Sequence, residues 1–157
     1  MFDIVDLGRV PFETAWRIQA SRVETVARGG KEALYLLEHE PVITLGRHGG
    51  AENLLVDPGE LRRRGVELVR AERGGNVTCH FPGQLVAYPI IALSRRSGGL
   101  HRFFHDMEEV GIRVLAQLGI TASRSEGRPG VWIGPRKIAS IGTLTAFVVV
   151  ALGVILL

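Results

Sequence analysis

The stretch Arg73-Gly74-Gly75-Asn76-Val77-Thr78-Cys79-His80-Phe81-Pro82-Gly83-Gln84 limits what this chain can fold into more than any other segment. Its β-favouring residues form a run too short for a helix, and Pro82-Gly83 divides that run from a second apolar one over residues 85–93. Such a pattern predicts loop, strand, tight turn and strand. Gly74 and Gly75 can take positive φ and admit a close approach to bare main chain, while Arg73, Thr78 and His80 supply a fixed cation, a hydroxyl and an imidazole. The segment reads as the lining of a pocket, with an ordinary Arg-Gly-Gly hairpin connection as the plainer alternative.

The flanking sequence supplies the rest of a mixed sheet. Residues 2–7 alternate weakly and predict a first strand. Pro11 suits the first turn of a helix carrying Phe12, Trp16, Val23 and Ala27 at three-to-four spacing, with Trp16 in the core and Gly29-Gly30 as the stop. Residues 33–37 read as a buried strand, broken by Glu38-His39-Glu40-Pro41, and residues 42–45 resume extended structure. The loop Gly46-Arg47-His48-Gly49-Gly50 lacks the lysine and hydroxyl residue of a phosphate-binding P-loop. Asp57-Pro58-Gly59-Glu60 is a capping signal for a short basic helix ending at Gly65, and a strand follows over 66–69.

Leu100, Phe103, Phe104, Met107, Val110, Val114 and Leu118 keep helical period up to Gly119 and form the clearest amphipathic helix. His101 and His105 lie four apart on it without the glutamate of a His-Glu-x-x-His site, so they read as solvated residues and not as metal ligands. Residues 120–124 predict a strand, 125–130 a polar loop, and 131–134 with 136–142 a hairpin across Gly134-Pro135. There is no internal repeat and no linker. The expected fold class is α/β (α+β), one mixed sheet with two main helices.

Charge and cysteine content narrow the partners and the compartment. The net charge is only +3, and basic residues cluster only at Arg62-Arg63-Arg64 and Arg95-Arg96, without the interleaved aromatics of a nucleic-acid surface. A single cysteine forms no internal disulfide, and Met1-Phe2-Asp3-Ile4 does not begin like a signal peptide, so the expected location is cytoplasmic. Residues 138–157 hold no charged side chain.

Three ordered motifs carry a family resemblance. Residues 73–84 are similar to the Arg-Gly-Gly-x-x-Thr-aromatic-His-x-Pro-Gly-Gln signature of the octanoyltransferases of lipoate biosynthesis, members of the biotin/lipoate ligase superfamily. Leu37-Glu38-His39-Glu40-Pro41-Val42-Ile43-Thr44-Leu45-Gly46-Arg47 and Pro129-Gly130-Val131-Trp132-Ile133-Gly134-Pro135-Arg136-Lys137-Ile138-Ala139-Ser140-Ile141-Gly142 agree with it. The resemblance makes residues 1–142 an octanoyltransferase-like catalytic domain of the biotin/lipoate ligase type, its C-terminal part missing, and 143–157 an aberrant apolar tail. The full signature over 73–84 favours a transferase over a lipoate ligase.

The resemblance implies that an octanoyl group passes from octanoyl-acyl carrier protein to an enzyme cysteine, and from that thioester to a lysine of a lipoyl-domain protein. Both proteins are then the expected partners, and no cofactor is called for. Lys137 stands in the family's lysine position, where its charge lowers the thiol pKa and its amine later takes up a proton. Arg73, Gly74, Gly75, Asn76, Val77, Thr78, Cys79 and His80 match one substrate-binding segment, and Ser140, Ile141 and Gly142 another. The family's nucleophile lies further downstream in a Pro-Cys-Gly context that these residues do not include, so the expected product is inactive. Cys79 takes the place of an aromatic residue, and strand alternation turns it away from Thr78 and His80, as a buried structural cysteine.

Two other readings stay open, a non-catalytic remnant that binds acyl groups or carrier proteins and a tail-anchored peripheral membrane protein. Fifteen residues from Thr143 would rise about 22 Å as a helix, short of the ~30 Å apolar core of a bilayer. Spanning would enlist residues 138–142 beside the expected pocket, so packing of the tail on the domain is favoured over membrane insertion.

Overall fold

A computed structural model describes residues 2–142 and 153–155. In chain order the described elements are β1 (Phe2–Val10), α1 (Phe12–Ala27), β2 (Glu32–His39), β3 (Val42–Leu45), α2 (Pro58–Arg63), β4 (Glu67–Arg70) and β5 (Val77–His80), followed by β6 (Gln84–Ile90), α3 (Gly99–Gln117), β7 (Ser123–Ser125), β8 (Arg128–Ile133), β9 (Arg136–Ser140) and β10 (Gly153–Ile155). They build a seven-stranded sheet of order β1-β2-β6-β10-β9-β8-β7 and a three-stranded sheet of order β4-β3-β5. β1 runs parallel to β2 and β4 parallel to β3, while the other pairings are antiparallel, so the expected mixed α+β architecture is present.

Each face of the large sheet is covered by one helix. Ala15 and Val26 of α1 pack on Tyr35 and Leu37 of β2 and on Val86, Tyr88 and Ile90 of β6. On the other face, Leu115 of α3 packs on Val131 and Ala139, and Phe103 on Ile91 and Ile141. Ile90 and Ile91 are adjacent and serve opposite helices, as strand alternation requires. The small sheet is joined to α1 where Phe12 meets Val42 and Ala71.

Several local expectations are corrected. Trp16 is 45% exposed, because the buried stripe of α1 runs through Phe12, Ala15, Gln19 and Val26. β2 does not break at Glu38: the Glu38 carboxylate accepts from Arg9 and from the Gly83 amide, His39 is buried, and the chain turns only at Glu40-Pro41. β5 and β6 flank the Pro82-Gly83 turn without pairing to each other, since β5 pairs with β3 and β6 with β2 and β10. On α3 the buried residues are Phe103, Gly111 and Leu115, and Leu100, Val110, Val114 and Leu118 are exposed. Residues 120–122 are not strand, because Ile120 returns its amide to Leu115 O at the helix end. The polar loop expected over 125–130 shrinks to a turn, with Ser125 already paired to Arg128.

The capped helix α2 forms as its sequence predicts, with the Asp57 carboxylate accepting from Gly59 N at 2.8 Å and Glu60 N at 3.2 Å. β10 lies between β6 and β9, with Val154 opposite both Leu85 and Ala139. The division at residue 142 falls mostly on residues outside those described. No helix among the described residues is long and apolar enough to cross a membrane, and residues 138–140 and 153–155 are strand, so a single spanning helix over 138–157 does not form.

Candidate active site

The glycines around residues 46 and 75 bring two loops backbone to backbone. Gly46 N donates to Asn76 O at 2.8 Å, Arg47 N to Arg73 O at 2.9 Å and His48 N to Gly75 O at 3.1 Å. A Cβ on Gly46 would stand 2.5 Å from Gly75 O and 3.0 Å from Asn76 O, so only glycine fits there. Of the expected pair, Gly75 takes positive φ at 79° and Gly74 does not. The Gly74 carbonyl instead accepts from Arg73 Nη1 at 3.0 Å.

Arg73 is anchored inward. Its Nε and Nη2 donate to Thr44 Oγ1 at 2.9 and 2.8 Å, and Nη2 also reaches Thr44 O at 2.6 Å. Thr44 is fully buried and its hydroxyl donates a hydrogen bond to Thr78 O at 3.4 Å. Arg73 thus ties the loop to β3 and leaves a half-buried cation beside β5 and β6. Val77 and Thr78 are half-buried, and Asn76 is exposed with its carbonyl engaged by the facing loop.

Behind this loop lies a chain of buried polar side chains. His80 Nδ1 donates to Gln84 Oε1 at 2.6 Å, and Gln84 Nε2 in turn reaches Cys79 O at 3.4 Å, which fixes the amide and leaves His80 Nε2 with its lone pair. The His80 ring meets the His39 ring edge-on at 5.2 Å. Tyr88 Oη donates to His39 Nε2 at 2.8 Å, and His39 Nδ1 donates to Val10 O at 3.3 Å. Burial drives the His39 pKa down to about 4, with His80 adding to the effect. Burial also lowers His80, with the Arg73 charge acting in the same direction, and raises the Tyr88 hydroxyl. Both imidazoles are therefore neutral near pH 7.

Cys79 departs from its expected place in the core. It alternates away from His80 as predicted, but its side of β5 is open and the thiol is exposed. Partial desolvation pushes the thiol up, against the pull of Arg73, which disfavours the thiolate that a nucleophile requires.

Lys137 stands on β9, turned by a register shift between β8 and β9. Ile138 and Ala139 both pack in the cluster of Leu115, so Lys137 projects from the opposite face, where Trp132 is its partner. Its Nζ donates to Pro129 O at 2.8 Å and lies 5.0 Å from the centre of the Trp132 ring. The β6–β10–β9 pairing sets Ala139 level with Leu85 across Val154, with Lys137 two residues further along β9, and β6 and β9 lie two strands or roughly 10 Å apart across the sheet. Gln84 shares the α1 side of β6 with Val86 and Tyr88, so Lys137 and the His80–Gln84 pair stand on one face. No hydrogen bond, ion pair or ring contact joins Lys137 to residues 73–80 among the described residues. Ser140 is exposed opposite Gly153, Ile141 is buried against Phe103 in the α3 core, and Gly142 borders open space.

Sequence reasoning passed over Thr44, His39 and Tyr88. The signal for His39 was present, since it continues the alternation of Ala33, Tyr35 and Leu37. Among the described residues no group of three or more histidines, cysteines and carboxylates converges on a point that would hold a metal ion.

The two-helix mixed-sheet arrangement is the fold of lipoate ligase catalytic domains. A lipoate-protein ligase A bound with ATP superposes with a TM-score of 0.70 at 18% identity, covering 99% of this chain and 66% of that one. The Thermoplasma acidophilum bipartite lipoate protein ligase, solved in a study that also names its E2 lipoyl domain, gives 0.75 at 21% identity, covering 99% and 62%. The model of the lipoyl protein ligase A/B catalytic domain matches residues 11–157, and this chain belongs to that family.

Among its relatives, an octanoyltransferase of Nitratidesulfovibrio vulgaris (strain DP4) is 58% identical over 138 residues, which is 88% of this chain and 63% of that protein. An octanoyltransferase of Maridesulfovibrio salexigens is 54% identical over 141 residues, 89% of this chain and 66% of that protein. The chain thus spans slightly under two thirds of the length of these curated relatives.

Proposed function

We propose that this chain is an octanoyltransferase domain, which moves an octanoyl group from octanoyl-acyl carrier protein to a lysine of a lipoyl-domain protein through an acyl-thioester. The observation that carries the reading is the 58% identity with a named octanoyltransferase over 138 residues. In this reading Lys137 stabilises the thiolate by its charge and takes the proton of the incoming amine. The 73–80 segment holds the acyl thioester, with Gly75, Thr78 and the Nε2 of His80 toward the substrate, and Ser140 to Gly142 border the acyl chain. Arg73 acts from behind, through its bonds to Thr44.

The thiol is the exception within residues 1–157. Cys79 is the only cysteine, it is exposed on the small sheet, and burial of its surroundings raises its pKa. Residues 1–157 taken by themselves are expected to bind the acyl donor without turning over, and an acyl- or carrier-binding role is the second reading. Incubation with octanoyl-acyl carrier protein and apo-lipoyl domain, followed by intact mass spectrometry, tests both. Donor binding without an octanoyl mass on the lipoyl domain is expected, and catalytic transfer that persists in Cys79→Ser would refute the assignment of the missing thiol.

A further inference from the structure

The chain uses arginine 17 times and lysine twice, at Lys31 and Lys137. Most cations that meet a carboxylate here are arginines, as in the pairs formed by Arg22, Arg63, Arg96 and Arg113, with Lys31 beside Asp3 as the exception. A slim stem with a single amine at 137 is a choice that the surroundings explain. The Lys137 side chain is exposed, yet its ammonium folds back onto the carbonyl of Pro129, eight residues earlier.

We propose that Gly130 and Trp132 are positioning residues that hold the Lys137 amine in a cradle closed by the Pro129 carbonyl. The proposal rests on the proton-handling role given to Lys137 above and adds what aims that amine. Gly130 is a geometric requirement. Its φ is 129°, and a Cβ there would stand 2.5 Å from Ala139 O, 3.1 Å from Lys137 Cε and 3.4 Å from Cδ, in the path of the lysine stem. The same residue is pinned to α3, because Gly130 N donates to Glu108 Oε1 at 2.9 Å.

Trp132 supplies a fixed wall. Its Nε1 donates to Arg128 O at 3.1 Å, which sets the ring plane, and the ring then receives Lys137 Nζ at 5.0 Å and the Arg128 guanidinium at 4.2 Å. Both distances are within the range in which an aromatic face attracts a cation. The stem of Lys137 is thus steered by an absent Cβ, and its head is held by a carbonyl and a ring. An arginine head is a broad planar fork where lysine offers a single amine, and it does not give up its proton.

The test uses the full chain and the two lysines as each other's control. Trace labelling with acetic anhydride, read by peptide mass spectrometry, gives the rate at Lys137 relative to Lys31, whose own partner is Asp3. Held in the cradle, Lys137 labels more slowly than Lys31. Trp132→Leu and Gly130→Ala raise the Lys137 to Lys31 ratio about 2- to 5-fold, the equivalent of one exposed cation–ring contact, and Trp132→Phe stays near the native ratio. General loosening of the fold would raise both rates together and leave the ratio unchanged. A ratio that stays native in Trp132→Leu overturns the proposal, whether or not Gly130→Ala folds. The catalytic reading is tested separately, by the mass-spectrometric transfer assay above, and its failure would leave the labelling result standing.

Discussion

The buried His39–His80 pair makes the stability of this domain depend on pH in a window that carboxylates do not reach. His39 is fully buried, with its pKa lowered from 6.5 to about 4 mainly by desolvation. A histidine with a depressed folded pKa binds its proton more readily in the unfolded chain. Stability therefore rises with pH across the window, being full above about 6.5 and falling as the pH drops toward 4. The whole shift corresponds to about 3 kcal/mol, of which about 2 kcal/mol is already lost at pH 5. His80 is also lowered and adds in the same direction.

Other perturbed groups lie outside this window. Glu32 is held at about 2 by its bond with Arg96 and by the Ala92 amide, so its contribution is kept above the ordinary carboxylate pKa and is lost only below it. Tyr88 and Arg73, the other ionisable groups around the pair, keep the same protonation between pH 5 and 7.5. Urea unfolding followed by tryptophan fluorescence at pH 7.5, 6.0 and 5.0 measures the slope. His39→Gln, which keeps a donor and an acceptor without a titrating ring, is expected to cost 1–3 kcal/mol at pH 7.5, roughly the value of a buried bond, and to lose about 2 kcal/mol of the native decline between pH 7.5 and 5. A variant whose slope matches that of the native chain would refute the reasoning.

Gly46→Ala forces a Cβ against Gly75 O, and the urea midpoint should fall by the equivalent of about 1–3 kcal/mol, as for overpacked interiors. Arg73→Lys keeps the charge but loses the paired bonds from Nε and Nη2 to Thr44, so about 1–2 kcal/mol of stability goes and amide exchange in residues 73–76 speeds up. Cys79 should react with a maleimide in the folded chain at pH 8, more slowly than free cysteine because its thiol is pushed up, and full protection would show that it faces the core.

How much of this was legible in the sequence depended on how far away the deciding partner lay. The strands and α2 could be read because alternation and the Asp57 cap are local, and even the hidden His39 follows the parity of Tyr35 and Leu37. The partner of β5 could not be read from the Pro82-Gly83 turn, since β3 competes for it from 38 positions upstream in the pairing of Val42 with His80, with the register locked by the 46–48 loop lying on 73–76. The buried face of α3 was misjudged for a related reason. Its apolar stripe is wider than the surface it covers, and the helix settles where Gly111 and Leu115 meet the sheet.

The relation between Lys137 and the 73–84 motif was the least legible of all, because it is set by Gly153–Ile155. These residues hydrogen-bond to β6 on one side and β9 on the other, and thereby set Ala139 level with Leu85 and fix where Lys137 falls along the sheet. An inner strand with neighbours at both edges and a membrane segment call for the same uncharged, β-branched and aliphatic composition. That shared demand is why the pattern from residue 138 onward left strand and membrane helix undecided, even though the placing of the lysine depends on which one forms.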